Sequence, residues 1–417
     1  MSLRPSGTSF TEALLAALYI IITAVGTLSL FNGLPTALKA AYVPLVLLAA
    51  VLFLCGCKRE NKKVSVNYLK QYLLYILLMF IMTSILYVVQ KATVRHIVRG
   101  YEKLAFQTLT VLISVAAFYM FGRKAMDYTF YGFVLFYLIS IALALVKTGF
   151  SGAWSSICLF VTSFGNATGF MKLLELHDAV FAFGMFIIYY LLKGVKKNII
   201  PFCAAVFFFL IGFKRIGIAG VVLALAMYLI LRKKPKHVFA VSLILGGLCM
   251  LTGFAYIAVI KYNIFGAVMN RLNLNTMGRV DLYNFINDYY RIGVTYIGKG
   301  FEYITLLMQS VKKAGYLNLE HIGALHNGYL TVYIEFGFFG YFLWTGFWLL
   351  WNPVWTKRRA CCALLAQLLV TAYLFITYIT DNTAFYFSTG IVARLLPMVF
   401  AQELRKVEPE THMDEPI

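Results

Sequence analysis

Long apolar stretches separated by short polar connections dominate this chain. The runs fall near residues 10–31, 37–56, 69–89, 104–121, 128–147, 178–192, 199–213, 216–231, 238–260, 325–351, 361–380 and 383–401. A helix rises about 1.5 Å per residue and crosses a hydrocarbon core in about 20 residues, so the pattern predicts about twelve spanning helices. It also divides the chain. Residues 1–260 read as a bundle of spans one to nine, 261–324 as one large polar loop, 325–404 as spans ten to twelve and 405–417 as a tail.

Composition agrees, with 61% hydrophobic and 13% charged residues against roughly half and a quarter in soluble domains. Little chain is left for a soluble catalytic domain. The first apolar run is too long and continuous for a cleaved leader, and no small-residue cleavage site follows it, so it reads as span one. The cysteines form no CxxC, metal-ligand or disulfide framework.

The formal charge of +20 changes the picture only through its placement. Lys58, Arg59, Lys62, Lys63 and Lys70 follow span two, Arg123 and Lys124 span four, and Lys193, Lys196 and Lys197 span six. Arg232, Lys233, Lys234 and Lys236 follow span eight, and Lys357, Arg358 and Arg359 follow span ten. Basic residues concentrate in cytoplasmic connections, so these exits and both termini are expected inside. Because no basic stripe lies apart from the spans and their connections, nucleic acid is not an expected partner. The acidic segment Glu403–Ile417 reads as a cytoplasmic end.

The same frame puts residues 148–177 and 261–324 outside. Structureless loops of such length are uncommon, so the larger is expected to carry short helices around Arg279–Tyr290 and Tyr303–Lys313. No internal repeat relates two halves, which weighs against a secondary transporter.

Charges that break the topological rule are the informative ones. Arg95, Arg99, Lys103, Lys312 and Lys313 can face water or lipid phosphates. Lys214 and Arg215 stand between two spans with almost no polar loop, where an ionisable pair is expensive and usually faces a wet cavity or a partner. A guanidinium there suits a diphosphate, because its planar fork gives two charge-assisted hydrogen bonds at any working pH. Glu335 and Arg394 each lie ten or so residues inside a span, about 15 Å deep, and are expected to form a structural ion pair between spans ten and twelve. His326 opens span ten, with Tyr329 and Tyr333 on its helical face. Either a hydrogen-bonding interface histidine or a proton acceptor would fit there; nearby arginines would keep its imidazole neutral.

Three motifs are set aside. Gly293-Val-Thr-Tyr-Ile-Gly298-Lys299-Gly300 nearly spells a phosphate loop but ends in Gly where Ser or Thr should stand. His321 and His326 are five apart, off one helical face, so no metal site is expected. Asn166-Ala-Thr168 is a short glycosylation match of a kind common by chance.

Thr276-Met-Gly278-Arg279-Val-Asp281-Leu-Tyr283 in the large loop, His326-Asn-Gly-Tyr-Leu, and Glu335-Phe-Gly337-Phe-Phe-Gly340 together resemble the O-antigen polymerase and O-antigen ligase superfamily. The resemblance is best over 199–351 and extends to the turn at Arg215; Tyr283 stands where the family motif often has Trp. It implies an all-α, GT-C-like integral membrane fold in a bacterial inner or plasma membrane, with the active site facing the periplasm or exterior. It also implies an inverting, metal-independent glycosyltransferase with no cofactor. An undecaprenyl-diphosphate-linked oligosaccharide would be the donor, held by Arg215 and Arg279 with Lys214 and Arg291 in support, while His326 would act on the acceptor hydroxyl. A chain-length regulator and a flippase are the partners it suggests.

Polymerase and ligase share this chemistry and differ in acceptor. A lipid-linked oligosaccharide flippase would also need a basic cavity, but with repeated halves and no single dominant loop. Polyprenyl-phosphate-sugar transferases usually carry acidic residues in the first outer loop, and Phe31–Ala40 has none.

Overall fold

The computed structural model describes residues 10–163, 167–273, 276, 278–314, 325–357 and 361–401. Among these there is no strand. The first half runs through α1 (Phe10–Thr27), α2 (Tyr42–Leu54), α3 (Arg59–Val89), α4 (Val94–Phe121), α5 (Ala125–Thr162), α6 (Gly169–Leu174), α7 (His177–Lys193), α8 (Ile199–Ile211), α9 (Arg215–Leu231) and α10 (Val238–Lys261). The second runs through α11 (Ile264–Arg271), α12 (Arg279–Ile286), α13 (Tyr303–Ala314), α14 (Gly328–Gly346), a π turn at Phe347–Trp351, α15 (Asn352–Lys357), α16 (Cys361–Thr377) and α17 (Phe387–Ala401). His321, Asn166, Arg358, Arg359 and the segment Glu403–Ile417 lie outside the described residues.

Among the described residues, five helical stretches are long and apolar enough to cross a membrane: Phe10–Leu30, Thr36–Leu54, Arg59–Val89, Val94–Thr162 and Pro235–Lys261. The outward face of α3 agrees. On α3 the exposed residues Leu73, Leu77, Phe80, Ile81 and Ile85 recur at helical spacing, while Tyr68, Tyr72, Tyr75 and Met79 are buried. An apolar stripe outside and a tyrosine-rich stripe inside is the arrangement that lipid, rather than water, rewards. The chain is an all-helical membrane protein.

Inside, packing is aromatic. Phe183, Phe186 and Tyr190 of α7 meet Phe130 of α5 with centroids 5.2–6.1 Å apart, at the i, i+3, i+7 spacing of one helical face. Close approach elsewhere depends on small residues: a Cβ at Gly132 of α5 would lie 2.6 Å from Thr23 of α1.

Two local features go beyond the apolar pattern. The expected outer segment 148–177 is helical through Thr162, because α5 continues past a kink at Gly149, φ 69°. The apolar run 325–351 is not one straight helix: α14 breaks at Gly337, φ 73°. The break is filled by residues of the near-phosphate-loop motif. Lys299 N donates to Ile334 O at 2.9 Å, Gly300 N to Glu335 O at 2.8 Å and Phe338 N to Tyr296 O at 2.8 Å. Residues 296–300 thereby replace the helix's own hydrogen bonds. A broken helix inside a bundle is tolerable only where the freed backbone groups are so satisfied.

That strap also explains Glu335. Its buried carboxyl oxygen accepts from Ile304 N at 3.2 Å, at the start of α13, where the helix's first N–H groups have no intrahelical partner. Arg394 is equally buried but lies elsewhere. It donates to Gly390 O at 2.8 Å and to Gln107 Oε1 at 3.4 Å, and its guanidinium lies 5.4 Å from the Trp348 ring. The expected Glu335–Arg394 ion pair is absent. Equal depth on two spans does not fix azimuth, and the two side chains point to different neighbours.

Candidate active site

The loops that open α7, α9, α14 and α17 converge at one end of the bundle. Asn327, next to His326, caps α14 by accepting from Leu330 N at 3.0 Å. Its amide donates to Tyr283 OH at 3.2 Å, and its backbone N–H donates to Asn382 Oδ1 at 3.1 Å. Gly328 N donates to Tyr378 O at 2.8 Å and Asp381 O at 3.0 Å, and a Cβ there would crowd Tyr378 at 3.0 Å. The His-Asn-Gly sequence is thus a functional side chain followed by a cap and a close approach to the end of α16. His326 itself is left-handed, φ 49°, a conformation that costs a residue with a Cβ about 1–3 kcal/mol. The neighbouring bonds hold it there.

Arg279 arrives by a similar device. Gly278, φ 77°, turns the chain into α12, and the guanidinium reaches the carbonyl of Thr380 at 3.4 Å. Lys214 comes from the α8–α9 turn. Its ammonium bonds the Glu175 carboxylate and His177 Nε2, the latter at 2.7 Å. His177 Nε2 also lies 3.5 Å from Glu175 Oε1, and its Nδ1 lies 3.7 Å from Asp381 Oδ2. The His177 ring centroid lies 6.3 Å from that of His326. Asp381 also accepts from Asn382 N at 2.9 Å and from the Tyr386 hydroxyl.

Electrostatics give these groups distinct states. Burial lowers the pKa of His326; Asp381 opposes this, and His177, Arg279 and Lys214 reinforce it. The imidazole is neutral near pH 7. Burial opposes ionisation of Glu175, but His177 and the Lys214 ammonium outweigh it and pull its pKa down to about 2. Lys214 is therefore held by a permanent anion.

Of the residues expected to act, Lys214, Arg279 and His326 come together. Arg215 is exposed on the first turn of α9, and its side chain has no hydrogen-bond or ion-pair partner among the described residues. Arg291 is exposed near Lys261 rather than His326. Sequence reasoning missed Glu175, His177 and Asp381. The first two lay in a segment read as loop, and Asp381 fell between two spans. It also missed Asp178, whose carboxylate accepts from Ser388 N at 2.9 Å and Thr389 N at 2.7 Å, capping α17 and fixing α7 beside it. A signal existed: Glu175, His177, Asp178 and Asp381 are titratable residues at the ends of otherwise apolar runs.

Residues 199–345 match the family model described as O-antigen ligase. Over that segment the match supports a likeness to the O-antigen ligase and polymerase superfamily. The matched residues contain Lys214, Arg279 and His326, whereas Glu175, His177 and Asp381 lie outside them. The match supports a ligase- or polymerase-type glycosyltransferase acting on lipid-linked glycans in a membrane. No curated protein and no solved structure matches the chain.

Proposed function

We propose that the protein is a polysaccharide polymerase that transfers a glycan from an undecaprenyl-diphosphate carrier to the hydroxyl of a lipid-linked acceptor, with inversion and without a metal. The observation that carries the reading is a neutral, backbone-strained His326 beside the cations Arg279 and Lys214. His326 accepts the acceptor hydroxyl's proton as its oxygen attacks the anomeric carbon. The bond from that carbon to the phosphate oxygen breaks from the opposite face, and the electron pair leaves on the lipid diphosphate. Arg279 and Lys214 stabilise that growing charge; Arg215, next to Lys214, is the further cation that the diphosphate can reach, whereas Arg291 stays apart. The twelve-span arrangement, cytoplasmic termini and an outward-facing site belong to this reading, as does a place after a flippase and beside a chain-length regulator.

The family description favours a second reading, a ligase that moves the finished glycan to a different acceptor. The test supplies purified undecaprenyl-diphosphate repeat unit to membranes holding wild type, His326→Ala, Arg279→Ala or Arg215→Ala at matched expression, with and without chelator. Elongation by wild type, unaffected by chelator and lost in the variants, supports the polymerase. Normal elongation in all variants removes the site, and no polymer from wild type moves the acceptor to the ligase reading.

A further inference from the structure

A second cationic cavity lies apart from the His326 site. It has a volume of about 760 Å³ and lies between α13 and the turn joining α3 to α4. Lys91, Arg95, Lys299 and Lys313 line it, and no described lining residue is a carboxylate. The ammonium groups of Lys91, Lys299 and Lys313 have no ion-pair partner among the described residues. The nearby acids are engaged: Glu302 lies 3.9 Å from Lys103, and Glu102 binds Arg99 at 3.1 Å.

The walls are built rather than accidental. Lys91 is held left-handed, φ 48°, by the turn closing α3, in which Ala92 N donates to Tyr87 O at 3.0 Å. Thr93 caps α4, accepting from His96 N at 3.3 Å, so the positive end of a 28-residue helix opens on the same cavity. Lys299 belongs to the strap seated in the break of α14. Arg95 reaches Gln309 Oε1 at 3.4 Å, joining the two walls. Clefts lined by one sign of charge raise the local concentration of the opposite ion.

We propose that this cavity binds the phosphate groups of a second ligand, separate from the one held at Lys214, Arg279 and His326. The ligand chemistry follows from the cavity alone. Its role rests on the polymerase reading: joining two lipid-linked glycans brings two diphosphates to one enzyme, the donor's at His326 and the acceptor's here. A phospholipid headgroup carries the same chemistry.

The test counts sites on the full chain in phosphatidylcholine nanodiscs with radiolabelled farnesyl diphosphate as probe. Wild type is expected to bind two equivalents. The combined variant Lys91→Gln, Arg95→Gln, Lys299→Gln is expected to lose one, with at least tenfold weaker binding there, and Arg279→Gln to lose the other. Retention of the Arg279-dependent equivalent shows that the combined variant is folded. A single equivalent in wild type, lost only in Arg279→Gln, overturns the proposal. An equivalent lost only in the combined variant sustains it while removing the donor site proposed above. Displacement of that equivalent by phosphatidylglycerol in the nanodisc assigns the cavity to headgroups and overturns its role as the second-substrate site; no displacement supports that role.

Discussion

His326 combines three properties that a bundle residue would not need together: a left-handed backbone, partial burial and a ring facing a second histidine. If it takes the acceptor's proton, His326→Gln, which keeps polarity but cannot accept a proton at neutral pH, should lower kcat by about 10²–10⁴-fold with donor binding unchanged. Single-turnover kinetics and probe binding on the same sample check this. The lowered pKa fixes the sign of the pH dependence. The active form is the neutral imidazole, so the acid limb of kcat/KM should be centred below pH 6.5, the ordinary histidine value. An acid limb centred above 6.5 would contradict the environment described. Glu175 has the complementary sign. Its folded pKa is depressed from 4.5 to about 2, so its stabilisation is complete above the unfolded value and lost as pH falls through the folded one. Melting temperatures of wild type and Glu175→Gln should therefore differ at pH 7 and converge as pH falls from about 4.5 toward about 2.

Among the elements, the strap of residues 296–300 and the broken α14 depend on one another. A Cβ at Gly337 would lie 2.3 Å from Ile297 C, and one at Gly298 would lie 2.5 Å from Gly337 N. Both glycines have positive φ. Gly337→Ala should destabilise by the left-handed penalty of about 1–3 kcal/mol and by the steric displacement of the strap besides. Thermal unfolding in detergent reads the loss, and unchanged stability would mean that the strap does not sit in the break. Asn327→Ala is a milder test. It removes the cap of α14, worth about 1 kcal/mol, together with the bonds beside His326, so activity should fall more than stability. The near-phosphate-loop motif was set aside as chemistry on sequence grounds. Gly298 and Gly300 serve backbone contact with α14, which a linear motif cannot reveal.

Across the whole molecule, lipid faces the apolar stripe of α3 while tyrosines and buried polar groups fill the interior. Arg394, stacked near Trp348 and bonded to Gln107 and Gly390, is part of that interior. Removing it leaves Gln107 Oε1 without this donor, and a buried unpaired acceptor costs about 1–3 kcal/mol. Arg394→Met should therefore destabilise the bundle, whereas reversal at Glu335 should not be rescued by reversal at Arg394, since the two do not meet. A double-mutant cycle on melting temperature checks both, and a coupling energy beyond additivity would restore the pair. For topology, cysteines introduced at Lys312 and Lys233 should react with an impermeant thiol reagent from opposite sides of the membrane.

An all-helical membrane protein was legible in the residues alone, because runs of apolar side chains and the cost of bare backbone in lipid leave few alternatives. So were Lys214, Arg279 and His326, since charge and imidazole are conspicuous at the ends of apolar runs. Which side chains meet came from the folded packing. Helical periodicity gives a residue's depth and face but not the neighbour that face turns toward, so the Glu335–Arg394 pair failed. Glu175, His177 and Asp381 joined Lys214 and His326 from distant parts of the chain. The break at Gly337 was equally a tertiary decision, because the hydrogen bonds that make it tolerable come from residues 296–300, some forty positions away.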